Sequence, residues 1–121
     1  LLPHIFKKLP FDHDKDLEPV GAFVFAPMAV AVRAESPYKT LDEMLRAAKA
    51  EPNKLTYGTG GPGTMPHFAS EALGIATSTR FLHVPFKGAG EATQALLSAT
   101  IDYQIASTPG VIGSVKGNRI R

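Results

Sequence analysis

The sequence predicts an α/β fold, a three-layer sandwich around a mostly parallel sheet. Short apolar segments rich in Val, Ile, Phe and Tyr alternate with helical patterns of about ten residues, the order of βαβ units. Glycine-rich turns stand where strands pass into helices, at 58–63 and 87–90. The 121 residues suffice for one domain with a sizeable core, and no internal repeat is detectable.

The elements follow in order. Ile5, Phe6 and Leu9, with Lys7 and Lys8 outside, predict the last turns of a helix over Pro3–Leu9, closed by Pro10. Residues 11–19 are polar loop; Asp12-His13-Asp14 reads as a solvated turn, because consecutive residues rarely converge on one ion. The nearly apolar run 20–32 contains Gly21 and Pro27 and is too short to span a bilayer. It predicts strands over 20–25 and 28–32, covered on both faces.

Thr40-Leu41-Asp42-Glu43 is a capping box, opening a helix from about Leu41 to Ala50 with Leu41, Met44, Leu45 and Ala48 on one stripe. Pro52 ends it. Lys54–Tyr57 is a strand, and the loop Gly58–Gly63 leads into a helix with Phe68, Ala69, Ala72 and Leu73 inward and Gly74 as its stop. Phe81–Phe86 is the next strand, followed by the loop 87–90 and a helix carrying Ala92, Ala95, Leu96 and Leu97. Ile101, Tyr103 and Ile105 alternate with Asp102 and Gln104, which predicts a strand with one face less covered. Thr108 as N-cap and Pro109 as first residue open the final helix, with Ile112 and Val115 inward and Gly117 closing it.

Composition narrows the function. With 13 Lys+Arg against 11 Asp+Glu the formal charge is only +2, and no basic block implies nucleic acid. The absence of Cys removes disulfides, thiolate metal sites and thiol nucleophiles but leaves the compartment open. No membrane-spanning segment is predicted. The start at Leu1-Leu2-Pro3 reads as a piece cut from a longer protein, so a missing targeting signal says nothing about location.

The informative segment is 57–67, where a parallel strand turns into a helix, the place at which open α/β sheets bind ligands. Gly58, Gly60, Gly61 and Gly63 let backbone amides approach a ligand, and the new helix offers unpaired N–H groups and a partial positive charge. An anion is the natural guest, with the Thr59 and Thr64 hydroxyls converging on it and His67 in the first helical turn. Lys87-Gly88 and Ser107-Thr108 repeat the device at the next strand ends, so three such turns share one sheet edge. Glycines serving only a tight turn, and Lys87 lying solvated, are the plainer alternatives.

Gly58, Gly60 and Gly63 also match G-x-G-x-x-G, so a nucleotide- or phosphate-binding enzyme domain is the alternative function. A ribose-binding acid is missing from His83-Val84-Pro85-Phe86-Lys87, and no Gly-Lys-Ser/Thr triplet follows the loop. There is no G-x-S-x-G elbow; Ser70, Ser78 and Ser107 lack activating context; the four histidines lack metal spacing; and Asp42, Glu43 and Glu71 read as solvated. No catalytic residue, metal or cofactor is predicted, and binding without chemistry is the expected function.

The order of motifs resembles the substrate-binding proteins of tripartite tricarboxylate transporters, the TctC or Bug family. Pro3-His4-Ile5-Phe6-Lys7-Lys8-Leu9-Pro10-Phe11-Asp12 and Lys15-Asp16-Leu17-Glu18-Pro19-Val20 are similar to its opening stretches. Lys54–Gly60 resembles its glycine loop, and His83-Val84-Pro85-Phe86-Lys87-Gly88 its HVPYKG segment. The resemblance implies a periplasmic two-lobe protein of the venus-flytrap type, holding a small carboxylate between lobes and delivering it to membrane permease subunits. Residues 1–121 then form a single domain, a periplasmic-binding-protein type II lobe whose companion lobe is absent, and the chain turns back toward that lobe near 117–121. The Gly58–Thr64 loop and the Lys87-Gly88 turn are expected to line the cleft. Pro62, Met65 and Pro66 depart from the small polar residues of relatives, and Ala106 replaces an acid common there, which suggests a ligand less polar away from its carboxylate.

Overall fold

The computed structural model describes residues 7–22 and 24–121. Eight elements follow one another: β1 (Met28–Val32), α1 (Leu41–Ala50), β2 (Thr56–Thr59), α2 (Met65–Thr77), β3 (Leu82–Pro85), α3 (Ala89–Leu97), β4 (Tyr103–Ser107) and α4 (Thr108–Lys116). The sheet order is β1-β4-β2-β3. β2 runs parallel to both β3 and β4, while β1 closes one edge antiparallel to β4. The mostly parallel sheet and its α/β order are thus as the sequence predicts.

Apolar side chains on the two faces of the sheet form two cores. Tyr57, Tyr103 and Ile105 pack with Met44 and Ala48 of α1 and, less deeply, with Ala69 and Leu73 of α2. On the opposite face Ala31 and Ile101 pack with Ala95 and Leu96 of α3 and with Ile120. Helices on both faces make three layers.

Local chemistry explains α1. The Thr40 hydroxyl accepts from the Glu43 amide at 3.2 Å, and the Glu43 carboxylate accepts from the amides of Lys39 and Thr40 at 2.7 and 3.3 Å. These two backbone donors hold the Glu43 carboxyl below its ordinary pKa. Asp102 similarly accepts from the Thr56 amide and hydroxyl, both at 2.8 Å, and so clamps the starts of β2 and β4 together.

Several expectations are corrected. Residues 20–22, 24 and 25 form no strand; Phe25 is 90% and Val24 72% exposed, because β-rich composition makes a strand only where a neighbour offers backbone partners. β1 finds that neighbour in β4, in register from Met28↔Ser107 to Val32↔Tyr103. The expected helix over 3–9 lies largely outside the described residues, and 7–9 are not helical. α2 does not stop at Gly74 but runs to Thr77, with Ser78 in the left-handed conformation at φ 53°. Gly74 is buried instead because the chain doubles back over it, where a Cβ would meet the Thr79 carbonyl at 3.0 Å. The face of α2 turned inward carries Ser70, with Phe68 and Ala72 exposed.

β4 has both faces covered, not one, since Gln104 is 2% exposed beneath α3. α3 takes in Ala89 and Gly90 from the expected loop, with Gly88 as its N-cap. The N-cap position of α4 falls on Ser107, whose side chain makes no capping bond, one residue before the expected Thr108, whose amide and hydroxyl both donate to the Pro27 carbonyl. Val111 is consequently the buried residue, while Ile112 and Val115 face outward.

Candidate functional site

Because β2, β3 and β4 are parallel, their C-terminal ends lie along one edge, and the starts of α2, α3 and α4 gather there. Between them opens a cavity of about 720 Å³. Gly58, Gln104, Ile105 and Ala106 come from the strands; Met65 and Pro66 from α2; Ala89, Gly90 and Thr93 from α3; Gly110 and Ser114 from α4. Ala26 and Met28 contribute from the approach to β1.

The glycines make this approach possible. A Cβ on Gly58 would overlap the tip of the Ile101 side chain and crowd the Phe86 ring at 3.1 Å. One on Gly60 would stand 3.2 Å from the Ala89 nitrogen, covering the first amide of α3. Gly61 and Gly63 adopt φ 120° and 80°, where side chains are strained.

The loop is braced from within. The buried Thr59 hydroxyl contacts His83 Nε2 at 2.7 Å and accepts from the Gly61 amide at 3.2 Å. The Thr64 hydroxyl donates to the Gly61 carbonyl at 2.8 Å, and the Gly63 amide donates to His67 Nδ1 at 3.1 Å. His67 and His83 stack at 4.2 Å, His83 stacks on Tyr57 at 4.9 Å, and Tyr57 on Tyr103 at 5.5 Å. Burial, then the neighbouring His67, lowers the pKa of His83, with Glu71 opposing. Burial raises the Tyr57 and Tyr103 phenols, and the Tyr57 hydroxyl donates to Glu71, which is therefore not the merely solvated carboxylate the sequence suggested.

Of the ten residues expected at the site, Gly58, Thr59, Gly60 and Ser107 line the cavity. Gly61, Gly63, Thr64 and His67 hydrogen-bond within the loop and hold its shape, and Gly88 is the N-cap of α3. Lys87 is exposed, its amide donating to the Glu91 carboxylate at 3.1 Å.

Gln104 is a cavity residue that the sequence reading missed. Its Nε2 donates to the Thr93 hydroxyl at 3.0 Å, and that hydroxyl gives its single proton to the Ala89 carbonyl, also at 3.0 Å. The amide orientation is thereby fixed, and its Oε1 is left buried without a partner among the described residues. A polar residue placed three positions before a strand-to-helix turn was the available signal.

No charged side chain lines the cavity among the described residues. The polar groups it offers are hydroxyls, the carboxamides of Gln94 and Gln104, and first-turn amides, such as those of Ala89, Gly90 and Gly110, which have no intrahelical acceptor. Outside it, ligand atoms of Asp12, His13 and Asp14 come within 4.8 Å of one another in an exposed turn, where Asp12 already accepts from the Asp14 amide. No helix among the described residues is long and apolar enough to cross a membrane.

Comparison with known proteins gives concordant results. The chain matches the model of the tripartite tricarboxylate transporter family receptor, TctC, over residues 1–121. It is 36% identical over 114 residues to the "UPF0065 protein in gbd 5′ region" of Cupriavidus necator, covering 94% of this chain and 35% of that protein. A TctC solute-binding protein from Polaromonas, solved without ligand, superposes with a TM-score of 0.75 at 33% identity, over 79% of this chain and 33% of that one. MatC from Rhodopseudomonas palustris with bound malate superposes with a TM-score of 0.84 at 25% identity, over 97% and 40%. The chain spans about a third of the length of the curated relatives it matches, 34% and 35% in two of them. The chain belongs to the tripartite tricarboxylate transporter receptor family, TctC, whose members are solute-binding proteins.

Proposed function

We propose that this chain is one lobe of a periplasmic two-lobe receptor that holds a small carboxylate at the helix-start cavity and hands it to a membrane permease. Residues 1–121 are then a single domain, with the companion lobe closing over the ligand. The observation that carries this reading is the gathering of three helix starts around one cavity at the C-terminal edge of the sheet. Such an edge binds anions through unpaired amides and the partial positive charge of each helix. The malate bound by MatC accords with a carboxylate ligand, and the uncharged lining accords with binding rather than chemistry.

A thermal-shift screen of the full-length protein with carboxylates and nucleotides tests this. A carboxylate at one hundred times its Kd should stabilise by about 2.7 kcal/mol. Stabilisation by ATP or NAD but by no carboxylate would instead favour a nucleotide-dependent domain.

A further inference from the structure

We infer that His67 and His83 form a proton-operated latch on the glycine loop: the neutral pair holds the loop as a wall of the cavity, and proton uptake frees the loop and weakens ligand binding. The effect on ligand rests on the carboxylate reading above; the latch itself does not. The Gly63 amide donates to His67 Nδ1 at 3.1 Å, so that nitrogen carries no proton and the neutral ring has its hydrogen on Nε2. A second proton can enter this ring only at Nδ1, where it would meet the Gly63 N–H, donor against donor. The bond must then break. Gly63 sits at φ 80° immediately before the N-cap of α2, so the freed amide lies at the junction of loop and helix.

His83 governs the other end. Its Nε2 contacts the hydroxyl of Thr59, a buried residue lining the cavity, at 2.7 Å. A charged His83 can only donate from Nε2, which turns the single Thr59 proton toward the Gly61 carbonyl at 3.2 Å, an oxygen that already accepts from Thr64. The rings stand 4.2 Å apart, so a charge on one opposes a charge on the other. Tyr57 of β2 and Tyr103 of β4 continue the stack, and burial keeps both phenols neutral. Among the described residues Glu71 of α2 is the carboxylate that faces the pair; it draws a proton toward His83 while accepting from the Tyr57 hydroxyl. Both rings are half-buried and within reach of solvent protons, and histidine is the side chain whose charge ordinarily changes between pH 5 and 8. Linkage is reciprocal: a ligand held by the ordered loop favours neutral rings, and its Kd rises as pH falls.

The test uses the full-length protein between pH 7.5 and 5.5. Without ligand, nitrogen-proton spectra should show the Gly63 amide shifting along the same titration curve as the His67 ring nitrogens. In calorimetry with malate, succinate and benzoate, each probe that binds should weaken by about tenfold or more from pH 7.5 to 5.5. His67→Asn, which keeps an acceptor near the Nδ1 position but cannot titrate, and His83→Gln should each reduce that ratio, and the double variant should bring it to about twofold or less. Variants and wild type meet the same probe ionisation, so the difference between them belongs to the rings. A Gly63 amide that stays fixed over this range, or equal ratios in wild type and double variant, would overturn the latch and leave the carboxylate reading standing. No binding of any of the three probes to the folded protein at pH 7.5 would overturn the carboxylate reading instead, and the Gly63 titration would still decide the latch.

Discussion

His67 of α2 and His83 of β3 stack nearly parallel, with ring centroids 4.2 Å apart and 11° between planes. Each holds one end of the glycine loop, His67 through the Gly63 amide and His83 through the Thr59 hydroxyl. The loop is therefore shaped by two imidazoles that cannot both be protonated without repulsion.

A pH dependence of stability follows. The folded protein holds the His83 pKa below its ordinary value, through burial first and His67 second, against the opposing Glu71. Stability from neutral His83 is then fully present above the unfolded pKa of about 6.5 and lost as pH falls from there through the lower folded value. Melting temperature should drop between pH 7.5 and 5, and His83→Gln should flatten that slope. Parallel slopes for the two proteins would remove His83 from the account.

Gly63 at φ 80° predicts a backbone cost. Gly63→Ala should destabilise by about 1–2 kcal/mol, measured by urea denaturation, since a side chain there meets left-handed strain. A neutral result would mean the loop relaxes to another conformation.

For Gln104 the expected sign is reversed. Its buried Oε1 lacks a partner, and an unsatisfied buried acceptor costs about 1–3 kcal/mol. Gln104→Met removes that atom, and the Thr93 hydroxyl keeps its bond to Ala89. The variant should melt at or above the wild-type temperature; a clear fall would show that Oε1 is satisfied by water.

Arg121 ties the segment after α4 to the segment after β1. Its guanidinium donates to the carbonyls of Ala34, Ser36 and Tyr38 at 2.7, 2.7 and 2.9 Å. Arg121→Ala should cost about 1–2 kcal/mol, read by chemical denaturation, with exposure keeping the figure modest. Arg121→Lys should recover only part, because one ammonium cannot reproduce the fork.

What the sequence revealed divides along the range of the interactions. α1 was legible from Leu41 to Ala50 because its capping box and apolar stripe are local. The glycine loop was legible because Gly61 and Gly63 answer a local backbone demand. Val20–Phe25 misled, since a strand depends on a neighbour that composition does not supply. The inward face of α4 was misassigned because capping at Ser107 rather than Thr108 is decided by the distant Pro27 carbonyl. Thr64 and His67 were placed at the site from their position alone, and the folded loop adds that their polar atoms bond Gly61 and Gly63. Gln104 gained its place from α3 packing over it, a relation between residues 11 apart in sequence.

In the proposed site, uncharged amides at the starts of α3 and α4 hold the anion. Nitrogen-proton correlation spectra of the full-length protein, recorded while the carboxylate that most stabilises it in the thermal-shift screen is titrated in, read those amides one by one. The largest amide shifts should fall at Ala89, Gly90 and Gly110 and saturate together with the calorimetric binding curve. Saturating shifts that leave those three amides unmoved and gather elsewhere, for example around Asp12–Asp14, would contradict it.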